Sequence, residues 1–379
     1  MAEVAQPDSA QTTAAVLADA AGGGRSVRIL GGGTKQDWGN PVPEPAVILK
    51  TASLDRIVEH NVGDLTATVE AGVPLAVAQA KFAAEEQMLA LDPPLGADDR
   101  ATVGGVFATA DSGPLRHRYG GPRDLIIGIT VALSDGTVAR AGGKVIKNVA
   151  GYDLAKLFTG SLGTLGAIVS VNVRLHPRPQ TFSTALGASI EPAEIAAGAQ
   201  ALAAAPLELE SLDVAWREGR GRLLARTGGA KPDARARRAA VLMREQGLEE
   251  VDVTGDDQAI WARQRADQRS QEAALVRLAA RPSALPAVLG AARDCGATMV
   301  GRAALGTSYI ELDPDAVVSF RQRLSEARAA VVLDGPVQLR RRLDPWGAPK
   351  GPALELMQRI KRSFDPAGAC NPGAFVEGI

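Results

Sequence analysis

The sequence reads as an α+β protein in two parts, and three observations say so. Between residues 25 and 178, short runs rich in β-branched residues alternate with short helical patterns and glycine-rich turns. After His176-Pro177-Arg178-Pro179, where two prolines break a strand, the composition becomes rich in alanine and arginine and longer helical stretches alternate with strands. At 379 residues the chain is also too long for one ordinary core, and two domains leave volume for a cofactor.

Taken in order, Thr12 to Ala21 has helical spacing and ends at Gly22-Gly23-Gly24. Val27 to Leu30 and Ala46 to Lys50 read as strands, Leu54 to His60 as a short helix, and Leu65 to Ala71 as an alternating strand. A helix is expected from Pro74, proline being at home in a first turn, to Gln87. Pro93-Pro94 excludes a helix or central strand, so an irregular loop is expected to lead into Thr102-Val103-Gly104-Gly105. Leu125 to Leu133 and Val138 to Ala141, joined at Ser134-Asp135-Gly136, predict a hairpin.

Three glycine-bearing segments carry the functional signal. Val27 to Leu30 runs directly into Gly31-Gly32-Gly33-Thr34-Lys35, and consecutive glycines after a strand present several unhindered N–H groups in one arc, as a pyrophosphate requires. The helix-opening GxGxxG pattern of a Rossmann fold is absent, and a plain flexible turn explains a lone triplet equally well. The loop after Pro94 offers amides and the hydroxyls of Thr102, Thr109 and Ser112 between Gly104, Gly105 and Gly113. Gly160, Gly163 and Gly166 recur every third residue before an apolar strand, Ala167 to Leu175, that holds Ile168, Val169, Val171 and Val173. Such spacing lets main chain approach a flat ligand, or marks tight turns in a β-rich core.

The run GYDLAKLFTGSLGTLGAI at 151–168 resembles the GYDL..LF.GSEGTLGII signature of the vanillyl-alcohol-oxidase-type flavoprotein superfamily, whose cofactor domain is of the PCMH type. The stretch TVGGVFATADSG at 102–113 resembles its TIGGNVA.NAGG block, with Val106, Ala110 and Ser112 as departures. FDPAGACNPG at 364–373 resembles its C-terminal FDP.G..NPG. Across the chain the likeness is to the smaller FAD-binding subunits of bacterial glycolate oxidases.

The resemblance implies a PCMH-type FAD-binding domain of two α+β subdomains over 1–178, a reduced cap over 179–350 and a tail over 351–379 that returns to the FAD domain. It implies FAD contacts from Gly31, Gly32, Gly33, Thr34, Lys35, Pro94, Thr102, Gly104, Gly105, Thr109, Ser112, Gly113, Gly160, Gly163, Gly166, Ile168 and Asn371. Covalent flavin in this superfamily often uses a histidine beside the pyrophosphate glycines. Thr34 and Lys35 stand there instead, so dissociable FAD is expected. Leu162 replaces the acid of GSEGTLG, which removes any role that acid plays elsewhere.

In the second half, helices are expected at Pro192 to Ala204, Asp233 to Gln246, Ala284 to Asp294 and Pro314 to Ala330. Strands are expected at Leu207 to Ala215, Arg222 to Thr227, Ala274 to Ala279, Thr298 to Arg302 and Ser308 to Leu312. The alternation predicts an antiparallel sheet with helices on one face, followed by a helix from Pro352 to Ser363. Arg116, His117, Arg118 and Arg123 form a cationic patch fit to balance phosphates or hold a carboxylate, and Arg340-Arg341-Arg342 forms another; each also suits a solvated turn or face.

Related 2-hydroxy-acid dehydrogenases carry a histidine-rich metal motif in the cap. This chain has only His60, His117 and His176, so no metal site and no catalytic base are assigned to it. With 42 basic against 43 acidic residues, the charge balance favours neither nucleic acid nor an anionic membrane. Cys295 and Cys370 match no metal spacing and suit a reducing compartment; with no signal-like start or long apolar run, a cytoplasmic protein is expected, peripheral at the membrane only through partners. The expected function is the FAD subunit of a glycolate oxidase complex, acting with a larger flavoprotein subunit and an iron–sulfur subunit. The alternatives are a self-sufficient FAD-linked oxidoreductase of another 2-hydroxy acid or alcohol, and a flavin-free structural subunit.

Overall fold

The computed structural model describes residues 1–145, 153–270, 273–324, 329–347 and 351–379. The chain divides into two compact units. One comprises Met1–Ser112, Gly120–Arg178 and Ala348–Ile379, the other Gly113–Tyr119 and Pro179–Gly347.

The first unit holds two sheets. Glu3–Ala5, Val47–Lys50 and Val27–Leu30 form a parallel three-stranded sheet with Val47–Lys50 at its centre. Helix Ala10–Gly22, opened by a Ser9–Thr12 capping box, packs Ala14, Leu17 and Ala20 against Val27, Val47 and Leu49. The second sheet is antiparallel, in the order Ile57–Asn61, Thr66–Glu70, Ala167–Arg174, Ile126–Ala132 and Val138–Gly142. Its central strand buries Ile168, Val169, Val171 and Val173, which accounts for the β-branched run. The C-terminal helix, Pro352–Phe364, leads the chain back to this unit. There Cys370 bridges Val27 in parallel, with Val27 N–H donating to Ala369 O and Asn371 N–H to Val27 O.

Tertiary pairing overrides several local expectations here. Leu54 to His60 is not a helix: Ile57–Asn61 is an edge strand zipped to Thr66–Glu70, where β-branched Ile57 and Val58 are at home. The helix expected to reach Gln87 is Leu75–Ala83, because Gln87–Met88 pairs with His176–Pro177 instead. The segment read as irregular contains a helix, Val103–Thr109, whose N-cap Thr102 accepts a hydrogen bond from the Gly105 amide. Residues 146–152, which include the Gly-Tyr of the GYDL motif, lie outside the described residues.

The second unit is built on an eight-stranded antiparallel sheet. Its order is Glu249–Thr254, Phe182–Ser189, Arg220–Gly228, Ser211–Arg217, Thr298–Arg302, Thr307–Leu312, Ala274–Ala279 and Ala329–Asp334. One face joins Leu212, Val214, Trp216, Val276, Met299 and Ile310 to buried residues of helices Pro192–Ala204, Pro232–Glu245, Leu285–Asp294 and Val317–Arg323. A further helix, Gln258–Ala266, departs from the one-face expectation. Its Trp261 Nε1 donates to Thr184 Oγ1 at 2.9 Å and its Gln264 Nε2 to Asp213 Oδ2 at 2.9 Å, both on the opposite face by strand alternation. The helix expected from Pro314 to Ala330 ends by Arg323, and Ala329 opens an edge strand paired with Ala274–Ala279; residues 325–328 lie outside the described residues.

Candidate functional site

In the first unit one cavity of about 450 Å³, within the roughly 300–1,000 Å³ usual for ligand pockets, gathers the three glycine segments and the tail. Gly31, Gly32, Gly33, Thr34, Lys35, Thr102, Gly104, Gly105, Thr109, Gly163, Gly166, Ile168 and Asn371 all line it. Four of the residues expected at the cofactor do not. Pro94 lies half-buried off the cavity, and Ser112 is buried with its amide donating to Asp111 Oδ1. Gly160 donates its amide to Phe107 O at 2.9 Å and serves a turn at φ +83°, and Gly113 belongs to the second unit.

The glycines do two different jobs. The amides of Gly31, Gly32, Gly33 and Thr34 donate to no acceptor among the described residues. They form a donor arc at the end of a strand, suited to phosphate oxygens. In helix Val103–Thr109 the first amides are already used: Val103 donates to Val73 O at 2.8 Å, Gly104 to Ala71 O at 2.9 Å and Gly105 to Thr102 Oγ1 at 3.2 Å. The expectation that this segment offers amides to a ligand is therefore corrected. Gly104 is there for packing, since a Cβ on it would stand 2.5 Å from Ala71 Cβ. Gly105 leaves bare wall, its nearest obstacle being Thr102 Oγ1 at 3.2 Å.

Packing between the segments fixes the arc. A Cβ on Gly31 would meet Thr102 Oγ1 at 2.3 Å and one on Gly32 would meet Arg100 O at 1.7 Å, so the triplet nests against the start of the helix. From the other end of the chain, Asn371 accepts from Ile29 N at 2.8 Å and donates to Leu162 O at 2.6 Å. It thereby pins the strand before the triplet to the turn at Gly163. Lys361 secures the tail, its Nζ donating to Thr164 O at 2.6 Å, Asp365 Oδ2 at 2.6 Å and Cys370 O at 2.9 Å. Burial pushes the Asp365 carboxyl up, but hydrogen bonds from Lys361 and from the Cys370 amide outweigh it and hold the group below its usual range. Burial also drives the Cys370 thiol up to about 12, leaving it unreactive.

Lys35 Nζ lies 3.4 Å from Asp111 Oδ2, with side chains only 6% and 0% exposed, so the cation beside the arc is held by a buried partner and little screened by solvent. Ile29, Val42, Ala71, Ala108 and Leu162 supply apolar wall, with Trp38 among them, which suits a flat ring system. The sequence reading missed Arg28, Trp38, Val42 to Pro45 and Asp111. The proline-flanked run Val42-Pro43-Glu44-Pro45, close behind the triplet, was the available signal for part of this wall. A phosphate-binding arc, a glycine-bared wall and an apolar lining fit a flavin dinucleotide.

Comparison with known proteins agrees with that chemistry. Residues 1–142 match a family model described as FAD binding domain, and residues 348–375 one described as FAD linked oxidases, C-terminal domain. The first unit is an FAD-binding domain. Its cofactor is FAD, and its fold is the PCMH type. A solved alkyldihydroxyacetonephosphate synthase shares the fold with a TM-score of 0.70 over 97% of this chain and 76% of that one, at 12% identity.

The chain is 39% identical over 157 residues to the glycolate oxidase subunit GlcD of Bacillus subtilis and 35% identical over 152 residues to the subunit GlcE of Escherichia coli. It is 34% identical over 175 residues to a D-lactate dehydrogenase of Archaeoglobus fulgidus. These matches take in 41%, 40% and 46% of this chain and only 33%, 43% and 39% of the relatives' own lengths.

The cationic patch expected near the FAD loop is divided between the two units. Residues 116–119 belong to the second unit, where Arg118 Nη1 donates to Glu208 O at 2.8 Å and Tyr119 Oη donates to Glu210 Oε2 at 2.7 Å. Burial, then Glu210, raises the Tyr119 hydroxyl above its usual range, and burial with Arg118 keeps His117 low and therefore neutral near pH 7. Arg123 is exposed and lines no part of the cavity. Arg340, in the triple-arginine run, is buried and its Nε donates to Gly335 O at 3.0 Å. Among the described residues no group of three or more His, Cys, Asp or Glu is placed to hold a metal, and no helix is long and apolar enough to cross a membrane.

Proposed function

We propose that this protein is the FAD-binding subunit of a glycolate oxidase type of complex, oxidising glycolate to glyoxylate with a larger flavoprotein subunit and an iron–sulfur subunit. The observation that carries the reading is the pairing of an FAD cavity with likeness to two glycolate oxidase subunits, in a chain with no histidine after His176. The amides of Gly31 to Thr34 hold the phosphates, Gly105 leaves wall for the ring, and Asn371 keeps the triplet and the Gly163 turn in register. Neither Thr34 nor Lys35 offers an imidazole to the flavin, so the cofactor is held without a covalent bond. Bound FAD supplies the two-electron chemistry, and the protein supplies position and field. The proton of the substrate hydroxyl goes to a base outside this chain, for which the larger subunit is the source.

Purified alone, the chain is expected to be yellow, to release FAD on acid precipitation, and to turn over glycolate with an artificial acceptor only when co-purified with its partners. Robust turnover by the isolated chain overturns the subunit role. It would favour the second reading, a self-sufficient FAD-linked oxidoreductase of a 2-hydroxy acid, which the likeness to D-lactate dehydrogenase supports.

A further inference from the structure

The cation beside the glycine arc carries its own neutraliser, and the pairing bears on how firmly FAD is held. Among the described residues, the charged ones lining the cavity are Arg28, Lys35 and Glu44. Glu44 is exposed, and Arg28 Nη2 donates to Pro43 O at 2.9 Å. Lys35 is enclosed: its side chain is 6% exposed, its Nζ donates to Thr34 Oγ1 at 3.4 Å, and it stands 5.9 Å from the centre of the buried Trp38 ring. Thr34 closes the arc, so this ammonium sits where phosphate oxygens would arrive.

Asp111 is fully buried and lines no part of the cavity, so it meets Lys35 from the protein side. Their 3.4 Å separation exceeds the roughly 2.7–2.9 Å of a charge-assisted hydrogen bond, and the contact is that of two charges rather than a tight bond. Two anions therefore compete for one ammonium when a doubly charged pyrophosphate lies on the arc. The carboxylate repels the phosphates where solvent screens little. In the cofactor-free chain the same carboxylate is required, because a buried ammonium without a partner is strongly disfavoured.

We propose that Asp111 is the counter-ion Lys35 keeps when the cofactor is absent, and that it opposes the phosphates when the cofactor is present, so that this pair sets how readily FAD leaves the chain. The inference rests on FAD as the cofactor and on the arc as its phosphate site, and deepens that reading. The test is flavin fluorescence titration of the cofactor-stripped full chain with FAD, beside calorimetric titration with ADP, which carries the pyrophosphate without the ring. Asp111→Asn keeps the size and the acceptor for the Ser112 amide; it should bind both ligands roughly tenfold or more tighter while melting at a lower temperature when cofactor-free. Lys35→Met should bind both roughly tenfold or more weaker, and the variant with both changes should recover part of that loss, since the unopposed carboxylate is gone. An Asp111 that only supported the fold would lower affinity on replacement, so tightening is the signature. Unchanged or weaker FAD binding by folded Asp111→Asn, a gain for FAD with none for ADP, or wild-type affinity in Lys35→Met overturns the proposal. Where Asp111→Asn alone fails to fold, the double variant decides, and FAD affinity no better than that of Lys35→Met overturns it. Hydrogen exchange at Gly31 to Thr34 separates the two failures: arc amides slowed by FAD in the wild type leave the phosphate site standing without its counter-ion, and unchanged amides remove both.

Discussion

Adjacent glycines at 104 and 105 look alike as letters and differ as atoms. Gly104 touches Ala71 so closely that Gly104→Ala should destabilise the fold by about 1–3 kcal/mol through overpacking. Gly105 faces the cavity, so Gly105→Val should leave the melting temperature of the cofactor-free protein near wild type and weaken FAD binding by roughly tenfold or more, read by flavin fluorescence titration. Equal loss of folding in both variants would show that position 105 is structural. Gly163 belongs with Gly104 in this respect: it sits at φ +73°, and a Cβ there would stand 2.9 Å from Asn371 Nδ2. Asp365 carries the pH dependence of the tail. Its folded pKa lies below the ordinary 3.8, so its contribution is complete above that value and fades as pH falls through the folded value. Urea midpoints measured from about pH 6 to about pH 2 should fall less steeply in Asp365→Asn than in wild type at the acid end.

Among the elements, those that declare themselves in the sequence are the ones whose own pattern agrees with their neighbours. Ala274–Ala279 and Thr298–Arg302 occupy the residues their alternation predicts, because each is an interior strand with one face in the core. Pro192–Ala204 likewise opens at its proline and buries Ile195, Ala199 and Leu202 on one stripe. Ile57–Asn61 was hidden because five residues with a single hydrogen-bonded neighbour hold too little pattern to outvote a helical reading. Helix Val103–Thr109 was hidden by its glycines, which are poor helix formers kept here for contact with Ala71 and for cavity wall. Its start is nonetheless marked by Thr102, and Thr102→Ala should cost about 1 kcal/mol of stability by freeing the Gly105 amide. The candidate site was legible in the same uneven way. The triplet and its tail partner can be read from the letters, whereas the division of labour between free and occupied amides depends on long-range partners such as Val73 and Ala71.

For the molecule as a whole, the FAD cavity belongs to one compact unit assembled from three separate stretches of chain. Saturating FAD should therefore stabilise that unit by mass action, about 2.7 kcal/mol at a hundredfold excess over Kd. Hydrogen exchange should show slower exchange at Gly31 to Thr34, and unchanged exchange there at saturating FAD would place the dinucleotide elsewhere. The Asn371 clamp adds a consequence for biosynthesis. On the ribosome, Ile29 emerges more than three hundred residues before the asparagine that braces it, so a nascent chain meets cellular flavin with the strand before its binding arc unbraced. Capture of the dinucleotide then becomes a late event, and a polypeptide cut short before position 371 should leave the translation machinery colourless.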